Sequence, residues 1–373
     1  MSADREQPAS EPTESTFPGS APVVNPVMVT LARESRGYTQ GELAALMEVH
    51  QGKISRIEAA MLGVSDEVLD RLCRAVHYPP EFFYQRDELH GIDTSILFHR
   101  KRAIPVRALA KIHAIANIRR LNLGKLLKSV DLEPRHPFPS VDIDEFDGDP
   151  RAVAQAVRAT WIVPRGPVAN VTKAIEDAGG IVIRCDFNTR LVDAISQWIP
   201  GLPPMFFVNV DVPGDRLRWT LAHEIGHVVM HRSVTPNIEK EADFFASHFL
   251  MPADDIRPYL ADGIVTPARL ATLKPLWKAS MQAILKQSTN IGVIDERQAR
   301  YVWMQFGQAG YRTREPQYLD IPVEEPRTLQ EVVAAHTDRL GFSAADLGRV
   351  MNLYESDVRE IYLGKYAGLR IVK

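Results

Sequence analysis

The feature that most constrains this chain is a pair of histidines four residues apart, His223 and His227, with Glu224 directly after the first. Positions i and i+4 lie on one face of an α-helix, so both imidazoles can reach one metal ion if the segment is helical. The flanking segments 218–222 and 228–230 have the apolar spacing of a buried amphipathic helix. Glu224 then lies beside the metal, where its carboxylate can take a proton from bound water.

A catalytic zinc usually takes three protein ligands and leaves a fourth position open. His231 is one candidate, but on a continuous helix it lies about 12 Å from His223 along the axis. We expect it instead at the helix C-terminus, where a cation is favoured. The next predicted helix offers Glu239 and Asp243 on one face; Glu239 can complete a His2Glu set, and Asp243 can orient a ligating imidazole. His248 is a spare candidate, most simply a surface or packing histidine.

Composition predicts an ordinary water-soluble protein of two or three domains, with 373 residues and a net charge of −3. No apolar run approaches the ~18–20 residues that span a bilayer, and the polar N-terminus lacks the apolar segment of a secretory signal. Cys73 and Cys185 form no CxxC pair, which suits a reducing cytosol. We therefore expect a cytoplasmic protein without membrane contact, in which any DNA contact comes from a local patch.

Charge and proline patterns divide the chain. Residues 1–25 are proline-rich and aperiodic, which indicates a disordered tail. Residues 95–130 hold nine Lys/Arg and no Asp or Glu, whereas residues 131–150 are acidic and proline-rich, as in a linker. The basic stretch either supplies phosphate contacts or is the solvated face of a connecting helix. From residue 151 the pattern is α+β, with strands predicted at 181–183 and 205–210 and helices near 150–160, 167–178, 215–231 and 237–250.

The N-terminal helical segment predicts a helix-turn-helix. Thr39 is a candidate N-cap, and Glu42 three residues later completes a capping box. After a short turn, a second helix over 50–58 keeps Ile54 and Ile57 inside. The polar residues of this helix can point outward, and Gln and Arg are residues that read base edges: Gln51, Lys53, Ser55 and Arg56.

Residues 27–85 resemble the Cro/CI-type (XRE) helix-turn-helix family through YTQGELAALMEVHQGKISRIE and the following SDEVLDRLCRAV. The resemblance implies that Gln40 caps towards a phosphate and that Gln51, Gly52, Lys53 and Arg56 form the reading face. It also implies a homodimer on double-stranded operator DNA. Two features depart from this family. Gly52 inside the predicted recognition helix lowers helix stability by about 1 kcal/mol relative to Ala. The segment is also mildly acidic, with six Lys/Arg and eight Asp/Glu. The alternative is a helical interaction domain that does not bind DNA.

The segments RWTLAHEIGHVVMH and EKEADFFASHFLMP resemble the ImmA/IrrE family of zinc metallopeptidases, closely over about 165–260. The resemblance implies a gluzincin-like core that hydrolyses peptides, with Zn²⁺ on His223, His227 and Glu239 and with Glu224 as general base. We also expect the strand around Phe207-Val208-Asn209 to lie beside the cleft and to pair with an extended substrate.

The expected fold class is therefore multidomain, mainly α plus α+β. An all-helical helix-turn-helix domain precedes a gluzincin-like α+β metallopeptidase core, which is followed by a helical C-terminal extension. The predicted parts are a tail (1–25), an XRE-type DNA-binding domain (26–86), a basic connector with an acidic linker (87–150), a metallopeptidase domain (151–265) and a helical C-terminal region (266–373).

A faint internal repeat aligns residues 38–58 with 342–362 without a gap. Leu43, Met47 and Ile57 match Leu347, Met351 and Ile361, which is the spacing of a second helix-turn-helix-like unit. The outward positions of the second copy are Glu355, Ser356, Asp357 and Glu360, whose carboxylates would repel phosphates. We interpret this copy as a packing or dimerisation element, with coincidence of two amphipathic helices as the alternative.

Three functions fit these patterns. The first is a DNA-bound regulator that cleaves a specific protein, such as a repressor. The second is a transcription factor whose zinc domain is a sensor or a structural module, and the third is a peptidase whose N-terminal helices bind a protein. Glu224→Gln should abolish the first and third functions, whereas Gln51→Ala with Arg56→Ala should abolish the first and second. A structural zinc is usually closed by four ligands, so a His2Glu set with Glu224 favours catalysis.

Overall fold

The computed structural model describes residues 23–90, 104–231 and 237–364. The predicted disordered tail lies outside the described residues as far as residue 22, as do Arg100, Lys101 and Arg102 of the basic stretch. Over the ranges that the structure covers, every helix is too short or too polar to cross a membrane.

Five short helices form the N-terminal unit around an apolar core that includes Met28, Leu43 and Ile54. They are α1 (Pro26–Ser35), α2 (Gln40–Leu46), α3 (Gln51–Glu58), α4 (Asp66–Val76) and α5 (Pro80–Phe83). Thr39 and Glu42 form the predicted capping box: Glu42 N donates to Thr39 Oγ1 at 3.1 Å, and Thr39 N donates to Glu42 Oε2 at 2.7 Å. The predicted start of α2 is therefore confirmed.

The basic connector contains one long helix, α6 (Val106–Leu126). Ile112, Ala116 and Leu126 of this helix are completely buried, and α6 shares a core with the N-terminal unit. One face of this helix is therefore part of the core. The apolar face of α6 is stabilised mainly by the elements that pack against it, so α6 is part of the folded core.

A three-stranded sheet and two long helices make up the α+β part. A 3₁₀ turn (Ile143–Phe146) leads to α7 (Pro150–Thr160), α8 (Val171–Asp177), β1 (Ile181–Cys185), β2 (Ala194–Gln197), β3 (Met205–Asn209), α9 (Gly214–Met230) and α10 (Ile238–Leu250). Both predicted strands and all four predicted helices are present, with bounds that differ by a few residues. β2 is an additional strand.

The order of the strands corrects one expectation. β3 lies in the centre of the sheet, parallel to β1 and antiparallel to β2. Both edges of β3 are therefore hydrogen-bonded, and the strand that carries Phe207, Val208 and Asn209 cannot also pair with a substrate. β2 is the edge strand on the side of the site, where Ser196 contacts α9.

Helices continue to the end of the described chain. They are α11 (Ala253–Ala261), α12 (Pro267–Trp277), α13 (Met281–Asn290), α14 (Glu296–Gln308), α15 (Thr328–Ala334), α16 (Ala344–Met351) and α17 (Glu355–Val358), with a 3₁₀ turn at Gln317–Leu319 and π-helical turns at Ala335–Arg339 and Arg359–Leu363.

The faint repeat corresponds to a repeated local structure. α2 and α16 begin at aligned positions, and so do α3 and α17. Ser343 and Asp346 form a capping box like that of Thr39 and Glu42. Gly37 and its aligned Gly341 both have positive φ, 74° and 72°. The second copy packs into the core of α6 through Leu347 and Met351, which supports a packing element.

The sheet separates two hydrophobic cores. Val182 and Phe206 face the first core, which α7 to α14 build. Ile183 and Phe207 face the second core, which joins the N-terminal unit, α6 and the C-terminal repeat. Because β1 and β3 are covered on both faces, their sequences are nearly continuous runs of apolar residues.

Candidate metal centre and nucleic-acid face

α9 and α10 bring together the three predicted metal ligands. His223 and His227 lie one turn apart on α9, with their Nε2 atoms 2.9 Å from each other. Glu239, in the first turn of α10, places Oε1 3.3 Å from His227 Nε2 and Oε2 3.7 Å from His223 Nε2. One donor atom from each residue lies within 4.8 Å of the others. Among the described residues, this is the group of His, Cys, Asp and Glu suited to hold a metal.

Asp243 fixes the ring of His223. Its Oδ1 lies 3.1 Å from His223 Nδ1, and its Oδ2 accepts a hydrogen bond from Lys286 Nζ at 2.9 Å. Burial opposes ionisation, but the hydrogen bond from His223 and the charge of Lys286 lower the pKa of Asp243 below its usual range. An ionised Asp243 accepts the Nδ1–H of His223, which leaves Nε2 as the donor atom.

His231 orients the second histidine and is not a cation. It follows the last residue of α9, as predicted, with Nδ1 2.9 Å from His227 Nδ1 and Nε2 3.1 Å from Glu241 Oε2. Burial, and then repulsion from His227 and His223, lower the pKa of His231 to about 3. The expectation of a charged His231 at the helix end is therefore wrong. A neutral His231 donates Nε2–H to Glu241 and accepts Nδ1–H of His227, so that His227 Nε2 keeps its lone pair.

Glu224 is completely buried next to the metal group. Ser196 of β2 donates its hydroxyl to Glu224 Oε2 at 2.6 Å. This hydrogen bond holds the carboxylate in one orientation beside the metal group. Ser196 escaped the sequence analysis because β2 has only four residues and no clear period.

His248 belongs to the packing of α10. It is 2% exposed, stacks on Phe244 with ring centroids 4.5 Å apart, and has Nδ1 3.2 Å from Gln287 Nε2. It lies outside the metal group, in agreement with the interpretation of a packing histidine.

The predicted DNA-reading residues lie on or next to α3. Gln51, Ser55 and Arg56 are exposed, and Gly52 and Lys53 are half-buried. Gly52 is the second residue of α3, in the first turn, where its amide donates to His50 Nδ1 at 3.2 Å. Gln40 begins α2, and its side-chain Nε2 donates to Glu58 Oε2 at 2.8 Å, which uses one of its two amide hydrogens.

Four of the five Lys and Arg residues of α6 make hydrogen bonds or ion pairs within the protein. Arg107 pairs with Glu42, Lys111 donates to Asn188, Arg120 donates to the carbonyl of Glu88, and Lys125 donates to Gln85. These internal contacts favour a structural role over a phosphate-binding role for this part of the basic stretch.

The fold and the site define a class of protein, a helix-turn-helix unit joined to a metallopeptidase-like domain. Residues 29–81 match the helix-turn-helix domain family, and residues 175–289 match the IrrE N-terminal-like domain, a family of peptidases. The second match contains α9, α10 and all three donors. The chain thus carries two segments that match known families, a helix-turn-helix domain and, after it, an IrrE-like peptidase domain. Comparison with curated proteins gives no match.

Proposed function

We propose that this protein is a DNA-binding transcriptional regulator whose zinc-dependent metallopeptidase domain cleaves a specific protein partner, such as a repressor. The observation that carries the proposal is the convergence of His223, His227 and Glu239, with Glu224 held beside them by Ser196. The domain matches indicate DNA binding and a metallopeptidase-like module; the substrate and the regulatory role are our inference.

The donor set fits zinc. Two neutral imidazoles and one carboxylate are the ligands of a common class of catalytic zinc site. Contacts with Asp243 and His231 direct Nε2 of each histidine towards Glu239. Bound zinc would supply Lewis acidity that polarises the scissile carbonyl and makes water acidic.

The chain's own residues would carry the proton. Glu224 accepts a proton from the attacking water and passes it to the leaving amine. Ser196 fixes the orientation of Glu224 through its hydroxyl. The edge strand β2 is placed to pair with an extended peptide, since β3 occupies only one of its sides.

The helix-turn-helix domain would bind an operator through Gln51, Lys53, Ser55 and Arg56, with Gly52 allowing close approach and Gln40 near a phosphate. Proteins of this kind usually bind paired half-sites, so we propose a homodimer. A cytoplasmic location follows from binding DNA and agrees with two unpaired, buried cysteines, Cys73 and Cys185.

The alternative is a transcription factor whose zinc domain is a non-proteolytic sensor or structural module. Three ligands with a buried carboxylate beside them favour the peptidase, because a structural zinc is normally closed by four ligands.

Labelling of protein N-termini in producing cells separates the two functions. Cells that produce the wild type should contain protein N-termini, created by cleavage, that are absent from cells producing Glu224→Gln. Both proteins should bind the same DNA duplexes when these are selected from a random pool. Glu296→Gln, an acidic residue in the first turn of α14, is the matched control. Identical sets of N-termini in the two kinds of cell would contradict the peptidase proposal. Of these variants, only the double variant Gln51→Ala with Arg56→Ala should lose duplex binding.

A further inference from the structure

A cavity of about 300 Å³ lies where four parts of the chain meet. Tyr78 lines it from the N-terminal unit, Arg119 from α6, Asp186 from the loop after β1, and Asp357 from the C-terminal repeat. Its volume is at the lower end of the range for small-molecule sites. The cavity is separate from the metal centre, since none of its lining residues belongs to the metal group.

Two half-buried groups of opposite charge line this junction cavity, and each has one solvent-shielded atom without a hydrogen-bond partner. Arg119 Nη1 and Asp357 Oδ2 are both shielded from solvent, and neither has a hydrogen-bond partner within the described chain. Arg119 lies over the ring of Tyr362 at 5.1 Å, and Asp357 Oδ1 is 3.6 Å from His77 Nε2. Burial raises the pKa of Asp357. The charges of His77, Arg36 and Arg119 act on Asp357, and Arg119 also bonds to Tyr362 and Cys185. A shielded polar atom without a hydrogen bond is still costly, so these two atoms call for an explanation.

The other charged groups of the cavity are engaged. Arg36 stacks on Tyr78 and donates to the carbonyls of Val76 and His77. Lys111 donates to Asn188, whose own amide donates to Asp186. One guanidinium nitrogen and one carboxylate oxygen thus remain for a ligand.

A larger cavity, of about 820 Å³, shows the contrast. Lys173 pairs there with Asp177, and Lys278 donates to the carbonyl of Ala169. None of its lining side chains, in the part of the chain that the structure describes, has a buried polar atom without a partner.

We propose that the junction cavity binds a compact zwitterion of the α-amino acid class, with its carboxylate on Arg119 and its ammonium group on Asp357. A ligand with both charges satisfies both groups, whereas an anion or a cation alone satisfies one. Because the site touches the N-terminal unit, α6, the loop after β1 and the C-terminal repeat, the ligand would stabilise their present arrangement.

Thermal unfolding of the wild type in the presence of each protein amino acid tests this proposal, followed by calorimetric titration of those that raise Tm. We expect at least one amino acid to bind saturably at about one per chain. Its carboxamide and its N-acetyl derivative, each lacking one charge, should bind about 10- to 150-fold more weakly.

Variants locate the site. Arg119→Gln and Asp357→Asn should each weaken amino-acid binding by about 10- to 150-fold, as the uncharged derivatives do. Lys128 is an exposed cation just after α6, and Lys128→Gln should leave binding unchanged. Ile115→Phe fills the cavity without altering a charge, so it provides the test if a charge variant does not fold.

Three results would overturn the proposal: no amino acid raises Tm, acetate or an alkylammonium salt binds as tightly as the amino acid, or binding persists in the variants. The titration needs neither zinc nor DNA, so its failure is distinguishable from failure of the proposed peptidase or of DNA binding.

Discussion

Single residues around the metal centre show how outer contacts define a ligand. His223 and His227 can be recognised in the sequence by their spacing, but the spacing does not specify which ring nitrogen is free. Asp243 bonds to Nδ1 of His223, and His231, which is itself bonded to Glu241, bonds to Nδ1 of His227, so the Nε2 atoms remain free for the metal. The sequence placed His231 correctly at the helix end but not its charge, because burial is a property of the fold.

Ser196 offers a test at this scale. Ser196→Ala removes the hydroxyl that bonds to buried Glu224. It should lower the cleavage rate about tenfold, which corresponds to an increase of about 1.4 kcal/mol in the activation free energy, and leave the zinc content unchanged. Single-turnover cleavage of an identified substrate measures this loss. Ser288→Ala is the control, because Ser288 is also buried and hydrogen-bonded, but to the carbonyl of Leu285 in its own helix. Equal effects of the two changes would argue against a role of Ser196 at the site.

The burial of His113 makes the stability of the protein depend on pH. Burial lowers its pKa to about 4 in the folded protein, from about 6.5 in an unfolded chain. The unfolded chain therefore binds the proton first, and stability falls as the pH decreases from 6.5 towards 4, by at most about 1.4 kcal/mol per unit for this group. Urea unfolding at several pH values should show a shallower decrease for His113→Gln. Exposed His77, changed to Asn, is the control; an unchanged slope in His113→Gln would contradict the assignment.

At the scale of elements, strong local signals were predictable and weak ones were not. The capping box of Thr39 and the amphipathic pattern of α9 locate helices, because both arise from neighbouring residues. β2 was missed since four residues carry too little periodicity, and β3 could not be placed in the sheet centre because strand order depends on contacts distant in sequence. The internal repeat was detectable because its apolar spacing and its capping residues agree.

The start of α9 provides a test of one such distant contact. Residues 320–327 cross over α9, and a Cβ on Gly214 would collide with the backbone carbonyls of Ile321 and Pro322. Gly214→Ala should therefore lower the free energy of unfolding by about 2–3 kcal/mol, measured by urea denaturation. Gly63→Ala is the matched control, since its Cβ would meet nothing within 4 Å. A Gly214→Ala protein as stable as the control would show that the crossing segment is not fixed there.

At the scale of the whole molecule, the sheet connects the predicted parts. Composition indicated a connector and a linker between two domains, but α6 is buried between the N-terminal unit, the sheet and the C-terminal repeat. The cations of α6 could not be assigned from sequence, because a Lys or Arg bonded to its own chain looks the same as one that awaits a phosphate.

Salt dependence distinguishes these two kinds of cation. With a duplex selected by the wild type, Lys53→Ala should reduce the slope of log K against log salt concentration by about 1, because Lys53 lies on the proposed DNA face. Lys125→Gln should leave the slope unchanged, since its amine bonds to Gln85 within the protein. A reduced slope in Lys125→Gln with an unchanged slope in Lys53→Ala would show that α6, and not α3, contacts the phosphates.

Zinc content per chain tests the central claim most directly. Elemental analysis of the purified, zinc-supplied protein should give about one zinc per chain in the wild type, in Glu224→Gln and in His231→Gln. His223→Ala and Glu239→Gln should lose the metal, and Asp243→Asn should bind it about 10- to 100-fold more weakly. A folded wild type without zinc, or a Glu239→Gln protein that keeps zinc while His231→Gln loses it, would contradict the account.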